Sequence, residues 1–374
     1  MRELLSDEIE QIKPYSPKSL TEDFVLKFTA NGGLVNLAAN ECPHGMSTKV
    51  MEVLAANGTQ KINRYSISNQ EDLKKDLAEF YNLEPSWIHL GAGIEEILTH
   101  LSRAFLLEGD VVLLSECTFP LYYINNSLQR ACQYQIPIKN LGYDLNAFTN
   151  KLKSLKSPPR MIYLCNPNNP TGTIFNIKEF EALVSFIPQE SLLILDEAYF
   201  EYILSEDCPD GRNYLERIPR LIVTRTFSKA YGLAGLRIGY SLQAPEITNA
   251  LQKFKPLHSI NNIAEMCARE ALRDQVHLKN VVSLCTEEKN FLVNRLDEMN
   301  LVGVETHHTQ ANFILISTPF NSLEVSQRLL TDFGIIVAPL DGFGLVGKLR
   351  VSPGTREQNI LFLNALAQVL KESN

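Results

Sequence analysis

At 374 residues, 45% hydrophobic and 21% charged, the chain has the make-up of an ordinary globular protein and the length of two or three domains. A net charge of −8 argues against a general nucleic-acid binder or a polybasic membrane surface, and leaves room for local basic pockets that take anions. No apolar run suits a membrane span or a signal peptide, and the seven cysteines lack CxxC or zinc-ligand spacing, so the expectation is a cytoplasmic protein with reduced thiols and no metal.

In chain order, short apolar runs read as strands at 88–90, 111–114, 161–164, 192–195 and 221–224. Amphipathic stretches such as 95–106 and 177–186 read as helices between them. Continuous apolar strands separated by helices predict a mostly parallel sheet covered on both faces. Such a sheet collects its ligand at the C-terminal ends of its strands. Polar motifs fall at those ends: Asn169 after 161–164, Asp196 after 192–195 and Lys229 after 221–223. From about Lys255 the pattern changes to a long helical region, 263–299, strands at 313–316, 335–337 and 348–351, and a final helix. That reads as a smaller α+β domain.

Five segments carry the chemistry. Lys229 sits beside Ser228 and eight residues before Arg237, directly after an apolar strand, which suits a Schiff-base lysine next to a phosphate pocket. Gly91-Ala-Gly-Ile-Glu-Glu opens a helix after a strand, where free N–H groups and the helix dipole favour an anion. Thr226 and Ser228 add hydroxyls, and Arg237 adds charge and a fork of donors. Asp196-Glu-Ala-Tyr199, Asn166-Pro-Asn-Asn-Pro-Thr-Gly172 and Leu349-Arg350-Val complete the set. Taken singly, Lys229 reads as a surface lysine, Asp196 as a helix N-cap, the Asn-Pro run as a rigid turn and Arg350 as an ion-pair partner.

Together these motifs resemble the fold-type I pyridoxal-phosphate enzymes of aminotransferase class I/II, and within that class the histidinol-phosphate aminotransferase family. The resemblance runs from about Tyr15 to the C-terminal helix. It implies an α/β, aspartate aminotransferase-like fold: an N-terminal segment, 1–30, packed with the small domain, a large cofactor domain, 31–255, and a small C-terminal domain, 256–374. It implies that Lys229 binds the cofactor and later moves protons, that Asp196 pairs with the pyridine nitrogen, and that Tyr199 and Asn169 reach the phenolic oxygen. By the same resemblance Gly93, the amides of Ile94 and Glu95, Thr226, Ser228 and Arg237 hold the phosphate, and Phe119 stacks on the ring. Tyr65 matches a tyrosine that reaches the phosphate of the neighbouring subunit, which implies a homodimer. Arg350 matches the arginine that pairs with the substrate carboxylate, and Asn40 and Tyr15 match residues on the substrate side.

The substrate end departs from the family. A Val-Arg-Pro segment about a dozen residues before the carboxylate arginine usually holds the substrate's phosphate; here Ala338 stands in its place. Losing that charge weakens recognition of a dianionic phosphate by about 1.5–3 kcal/mol, unless Lys253, Lys255 or Lys348 compensates. Ile94 and Glu95 also replace a small residue and an aspartate, a change that backbone contacts survive. The expected activity is transfer of an amino group from an L-amino acid or related amine to a 2-oxo acid, without nucleic-acid or membrane partners. A lyase, decarboxylase or cyclase acting on a specialised amino acid, hydroxylated or guanidino, uses the same residues and is the alternative.

Overall fold

Residues 12, 22–28, 33–66 and 70–372 are described by the computed structural model. The apolar runs form strands because each is buried along nearly its whole length: β1 (Ile88–Gly91), β2 (Val111–Ser115), β4 (Met161–Cys165), β5 (Leu192–Asp196) and β6 (Leu221–Thr226). Two further strands, β3 (Cys132–Ile136) and β7 (Gly239–Gln243), complete a seven-stranded sheet of order β1-β7-β6-β5-β4-β2-β3. Every pairing is parallel except those of β7, which runs antiparallel to both neighbours. Neither added strand reads as an apolar run: Cys-Gln-Tyr-Gln-Ile lies at an edge and is mostly exposed, and Gly-Tyr-Ser-Leu-Gln is polar in sequence although fully buried.

Alternation along the strands divides the interior into two cores. Leu193, Leu195, Ile162, Leu164 and Val223 face one side, and Leu192, Ile194, Met161, Tyr163 and Ile222 face the other. A second sheet of four antiparallel strands follows, in the order β8 (Glu305–His307), β9 (Ile314–Ser317), β11 (Lys348–Val351) and β10 (Ala338–Pro339). Ile314, Ile316, Leu349 and Val351 turn one face of it into a separate core with helices Gln275–Met299, Ser322–Phe333 and Arg356–Glu372. Val35 and Leu37 also enter that core, and Phe28 packs its ring against Gly334.

Two sequence expectations are refined. The helical region 263–299 is two helices, Asn262–Arg273 and Gln275–Met299. Asp274 separates them: it accepts the His277 N–H at 3.2 Å as a cap and takes the Ser47 hydroxyl on its other oxygen. The run 335–337 is shared between sheets. Ile335–Ile336 pairs in parallel with Val35–Asn36, and Ala338–Pro339 then joins β11.

A buried ion network underlies the C-terminal edge of β5 and β6. Arg225 donates to Glu197 Oε2 from Nε at 2.9 Å and from Nη2 at 2.7 Å, and to Asp210 at 2.8 Å. Its guanidinium lies 3.7 Å from the Phe200 ring centroid. Removing one partner of such a cluster strands a buried charge. Arg225→Met is therefore expected to lower stability by about 3–5 kcal/mol, read as a shift of the urea unfolding midpoint, and Arg225→Lys to restore only part of it because the ammonium lacks the planar fork.

Candidate active site

The strand directions place four polar segments along one edge of the large sheet: the turn after β1, the Asn-Pro turn after β4, Asp196 at the end of β5 and Ser228-Lys229 after β6. Asp196 is 3% exposed. Burial pushes its carboxyl up, while hydrogen bonds from Tyr122, Thr224 and the Ala198 N–H pull the other way. The Tyr122 hydroxyl donates at 2.5 Å and Ala198 at 3.1 Å. Tyr122 is fully buried and stacks on Tyr163 with ring centroids 4.8 Å apart. Those donors offset part of the cost of burying the carboxylate, and a cation placed against it would offset more.

Lys229 is half-buried, donates to the Ala39 carbonyl at 3.2 Å and lies 5.8 Å from the Tyr199 ring centroid. Burial, then the charges of Arg350 and Arg237, push its ammonium down to about 8, against the pull of Glu41 and Glu95. An amine so poised is available as nucleophile and base near neutral pH. Arg350 is buried and donates to Asn169 Oδ1 at 2.5 Å and to the Ala38 carbonyl at 2.6 Å. It thus reaches from the small sheet to the turn after β4.

Asn40 joins the same parts. It donates to the Tyr199 hydroxyl at 2.8 Å, gives its N–H to Ser352 Oγ at 3.0 Å, and accepts from Asn312 on its carbonyl at 2.9 Å. Its φ of 53° is left-handed, a conformation asparagine tolerates better than most residues.

At the other end, helix Ile94–Phe105 begins at Gly93 with no side-chain cap, so its first amides are open to a ligand. Gly93 has φ +80°, and a Cβ there would stand 2.6 Å from Arg237 Nη2; one on Gly239 would stand 2.8 Å from the Ile94 amide nitrogen. The cradle is closed to any side chain at either position. Arg237 lies 3.4 Å from both Glu95 Oε2 and Ser228 Oγ, and Thr226 Oγ1 accepts the Ser228 N–H at 3.0 Å. Phe119 is half-buried, edge-on to Tyr122 at 5.7 Å.

Thus Lys229, Asp196, Tyr199, Asn169, Arg350 and Asn40 converge, with Gly93, Ile94, Glu95, Thr226, Ser228 and Arg237 gathered at the start of helix Ile94–Phe105. Tyr65 stands apart, 73% exposed and stacked on His258 at 4.0 Å, and Tyr15 lies outside the described residues. Sequence reasoning missed Tyr122, Ser352 and Asn312. Only the position of Tyr122, three residues after Phe119, offered any signal. Lys255 is engaged with Gln70 at 3.0 Å and Lys348 with Ser317 at 2.6 Å; Lys253 is exposed at the end of helix Pro245–Gln252. Among the described residues no group of three His, Cys, Asp or Glu could hold a metal ion.

The donor set fits a flat, phosphorylated heteroaromatic ring with a protonated nitrogen at Asp196 and an aldehyde within reach of Lys229. In the cofactor-free protein, Lys229 is expected to titrate near pH 8. Arg350→Met removes the second-largest cause of that depression and should move the midpoint upward, as followed by pH-dependent amine labelling read by mass spectrometry. An unchanged midpoint would show that the two groups do not interact.

The family described as aminotransferase class I and II matches residues 33–366. Histidinol-phosphate aminotransferase 2 of Hydrogenovibrio crunogenus is 38% identical over 339 residues, covering 90% of this chain and 89% of that protein. Histidinol-phosphate aminotransferase 2 of Carboxydothermus hydrogenoformans is 35% identical over 367 residues, covering 97% of this chain and 98% of that one. The crystal structure of histidinol-phosphate aminotransferase from Sinorhizobium meliloti in complex with pyridoxal-5'-phosphate matches with a TM-score of 0.86 at 25% identity, over 99% of this chain and 98% of that chain. With an α/β, aspartate aminotransferase-like fold, the chain belongs to the aminotransferase class I and II family and is a pyridoxal-phosphate-dependent aminotransferase of histidinol-phosphate-aminotransferase type.

Proposed function

We propose that the protein moves an amino group from an L-amino acid or related amine to a 2-oxo acid in two half-reactions at one site, with a substrate end that differs from that of its histidinol-phosphate relatives. The observation that carries this reading is the convergence of a depressed amine at Lys229, a buried carboxylate at Asp196 and a buried guanidinium at Arg350.

Bound pyridoxal phosphate supplies the aldehyde that takes the nitrogen and a ring that withdraws electrons from the substrate Cα. Lys229, as a free amine, would accept the substrate Cα proton and serve as the base and acid of the transfer. Asp196, which accepts from Tyr122, would pair with the protonated ring nitrogen. Tyr199 and Asn169 orient the ring through its phenolic oxygen, and Phe119 covers one of its faces. Gly93, the Ile94 and Glu95 amides, Thr226, Ser228 and Arg237 anchor the phosphate. Arg350 takes the substrate carboxylate, beside Asn40, and the family resemblance adds Tyr15 to the substrate side. The lyase, decarboxylase or cyclase alternative calls on the same residues, and the aminotransferase relatives weigh against it.

The reading includes a homodimer in which Tyr65 completes the neighbouring site; its 73% exposure in the single chain supports this. It also includes domains at 31–255 and 256–374, with 1–30 packed on the latter. The contact of Phe28 with Gly334 supports that placement. A cytoplasmic location accords with the finding that no helix among the described residues is long and apolar enough to cross a membrane.

Lys229→Ala is expected to lower turnover by about 10⁴-fold and to remove the visible absorbance of lysine-bound cofactor. Turnover retained in that variant would sink the reading. Co-expressing Tyr65→Ala with Lys229→Ala chains tests the shared site. Hybrid dimers carry one complete site and should recover about a quarter of the parental activity, whereas recovery absent in hybrids confirmed by mass spectrometry would confine each site to one chain.

A further inference from the structure

The anion-binding face of the small sheet can be read residue by residue. Alternation sends Leu349 and Val351 into the helix-covered core and leaves Lys348 and Arg350 on the opposite face. Arg350 is flanked in register by Leu315 on β9 and by Ala338 on β10. Side chains directly opposite in antiparallel strands have Cβ atoms about 5 Å apart on one face. Both neighbours of the guanidinium stem are therefore apolar. Leu315, Leu340, Leu345 and Cys117 extend this into a buried apolar cluster.

Lys348 is the next cation on the face, two residues and about 7 Å along the strand. Its Nζ donates to Ser317 Oγ at 2.6 Å, and that oxygen also meets His307 Nε2 at 2.8 Å. Lys348 thus belongs to its own polar group, opposite Leu340, whose N–H donates to the Lys348 carbonyl at 2.9 Å. Among the described residues of this face, Arg350 is the cation placed to meet the anionic head of a substrate. Its terminal nitrogens already satisfy two separate oxygen acceptors, on Asn169 and Ala38. A planar fork matches the two oxygens and single charge of a carboxylate. A phosphate monoester carries three peripheral oxygens and nearly two charges, and its surplus would lie against Ala338 and Leu315, unpaired.

Building on the aminotransferase reading, we infer that this subsite takes one negative charge, so that the amino donor is a carboxylate-headed α-amino acid and not the phosphate ester of an amino alcohol, and that Ala338 sets this choice. Position 338 acts on specificity by leaving the second charge of a phosphate without a partner.

Matched donors that differ only in the head group test this: L-histidine against histidinol phosphate, and L-phenylalanine against phenylalaninol phosphate. Each is added to the pyridoxal-phosphate-loaded protein without a 2-oxo acid, and the cofactor spectrum is followed to yield a half-saturation concentration and a limiting rate. In each pair the carboxylate is expected to have the higher rate-to-half-saturation ratio by at least about tenfold, with the difference in half-saturation. Ala338→Arg should shrink or reverse the preference, with the change read in the half-saturation concentrations. Phosphate esters used as well as or better than the carboxylates by the unsubstituted protein would overturn the inference and leave an aminotransferase standing. A selective loss of phosphate-ester binding in Lys348→Ala would also overturn it, by showing a second cation in use. Failure of every amino donor to convert the cofactor would instead count against the aminotransferase reading itself.

Discussion

Arg350 belongs to the small sheet, yet both of its terminal nitrogens bond elsewhere, to Asn169 in the turn after β4 and to the Ala38 carbonyl. The site depends on this seam. Lys229 and Asp196 come from the large sheet and Arg350 from the small one, so the three groups have a fixed geometry only while the two faces stay in register. Asn40 makes the same connection a second time, through Tyr199 on one side and Ser352 and Asn312 on the other. Polar groups do this work because a buried donor or acceptor left without a partner is costly. The seam is thereby specified in direction as well as in distance.

Beneath the seam, charge is managed by burial. Asp196 is surrounded by donors that offset part of its desolvation, among them Tyr122 from a distant segment of the chain. Its neighbour Glu197 points the other way, where Arg225 and the Gly211 N–H hold it. Adjacent residues at one strand end thus serve opposite faces of the sheet, as strand alternation requires. Lys229 is depressed by the same low-polarity surroundings and by two arginines, one at each end of the site. An anionic cofactor phosphate near Arg237 and a substrate anion near Arg350 would each weaken that effect, so the lysine's basicity is coupled to occupancy of both ends.

The substrate end shows how a small change alters recognition on an otherwise intact scaffold. The cradle of Gly93 and Gly239 leaves no space for even one added methyl group. Opposite Arg350 in register there is instead a methyl side chain, Ala338. The glycine cradle and the Arg350 face are thus carried by different strands.

The sequence by itself determined the parallel sheet and the polar motifs at its strand ends. Buried parallel strands must be apolar throughout, and an apolar run followed by a lone Asp, Lys or Asn marks where the chain leaves the core. The same logic explains what was illegible. β3 is an exposed edge, and β7 hides buried Ser241 and Gln243 in a polar-looking run, so neither has the pattern. Asp274 breaks a continuous helical periodicity through a cap that a distant residue, Ser47, helps to orient. Tyr122 reads as an ordinary helical tyrosine until the fold carries it to Asp196, 74 residues away in sequence. The apposition of Ala338, Arg350 and Leu315 likewise exists only as strand register. Local composition encodes burial and periodicity. Which side chains meet across strands, and hence how many charges face a ligand, is decided only when distant segments pack.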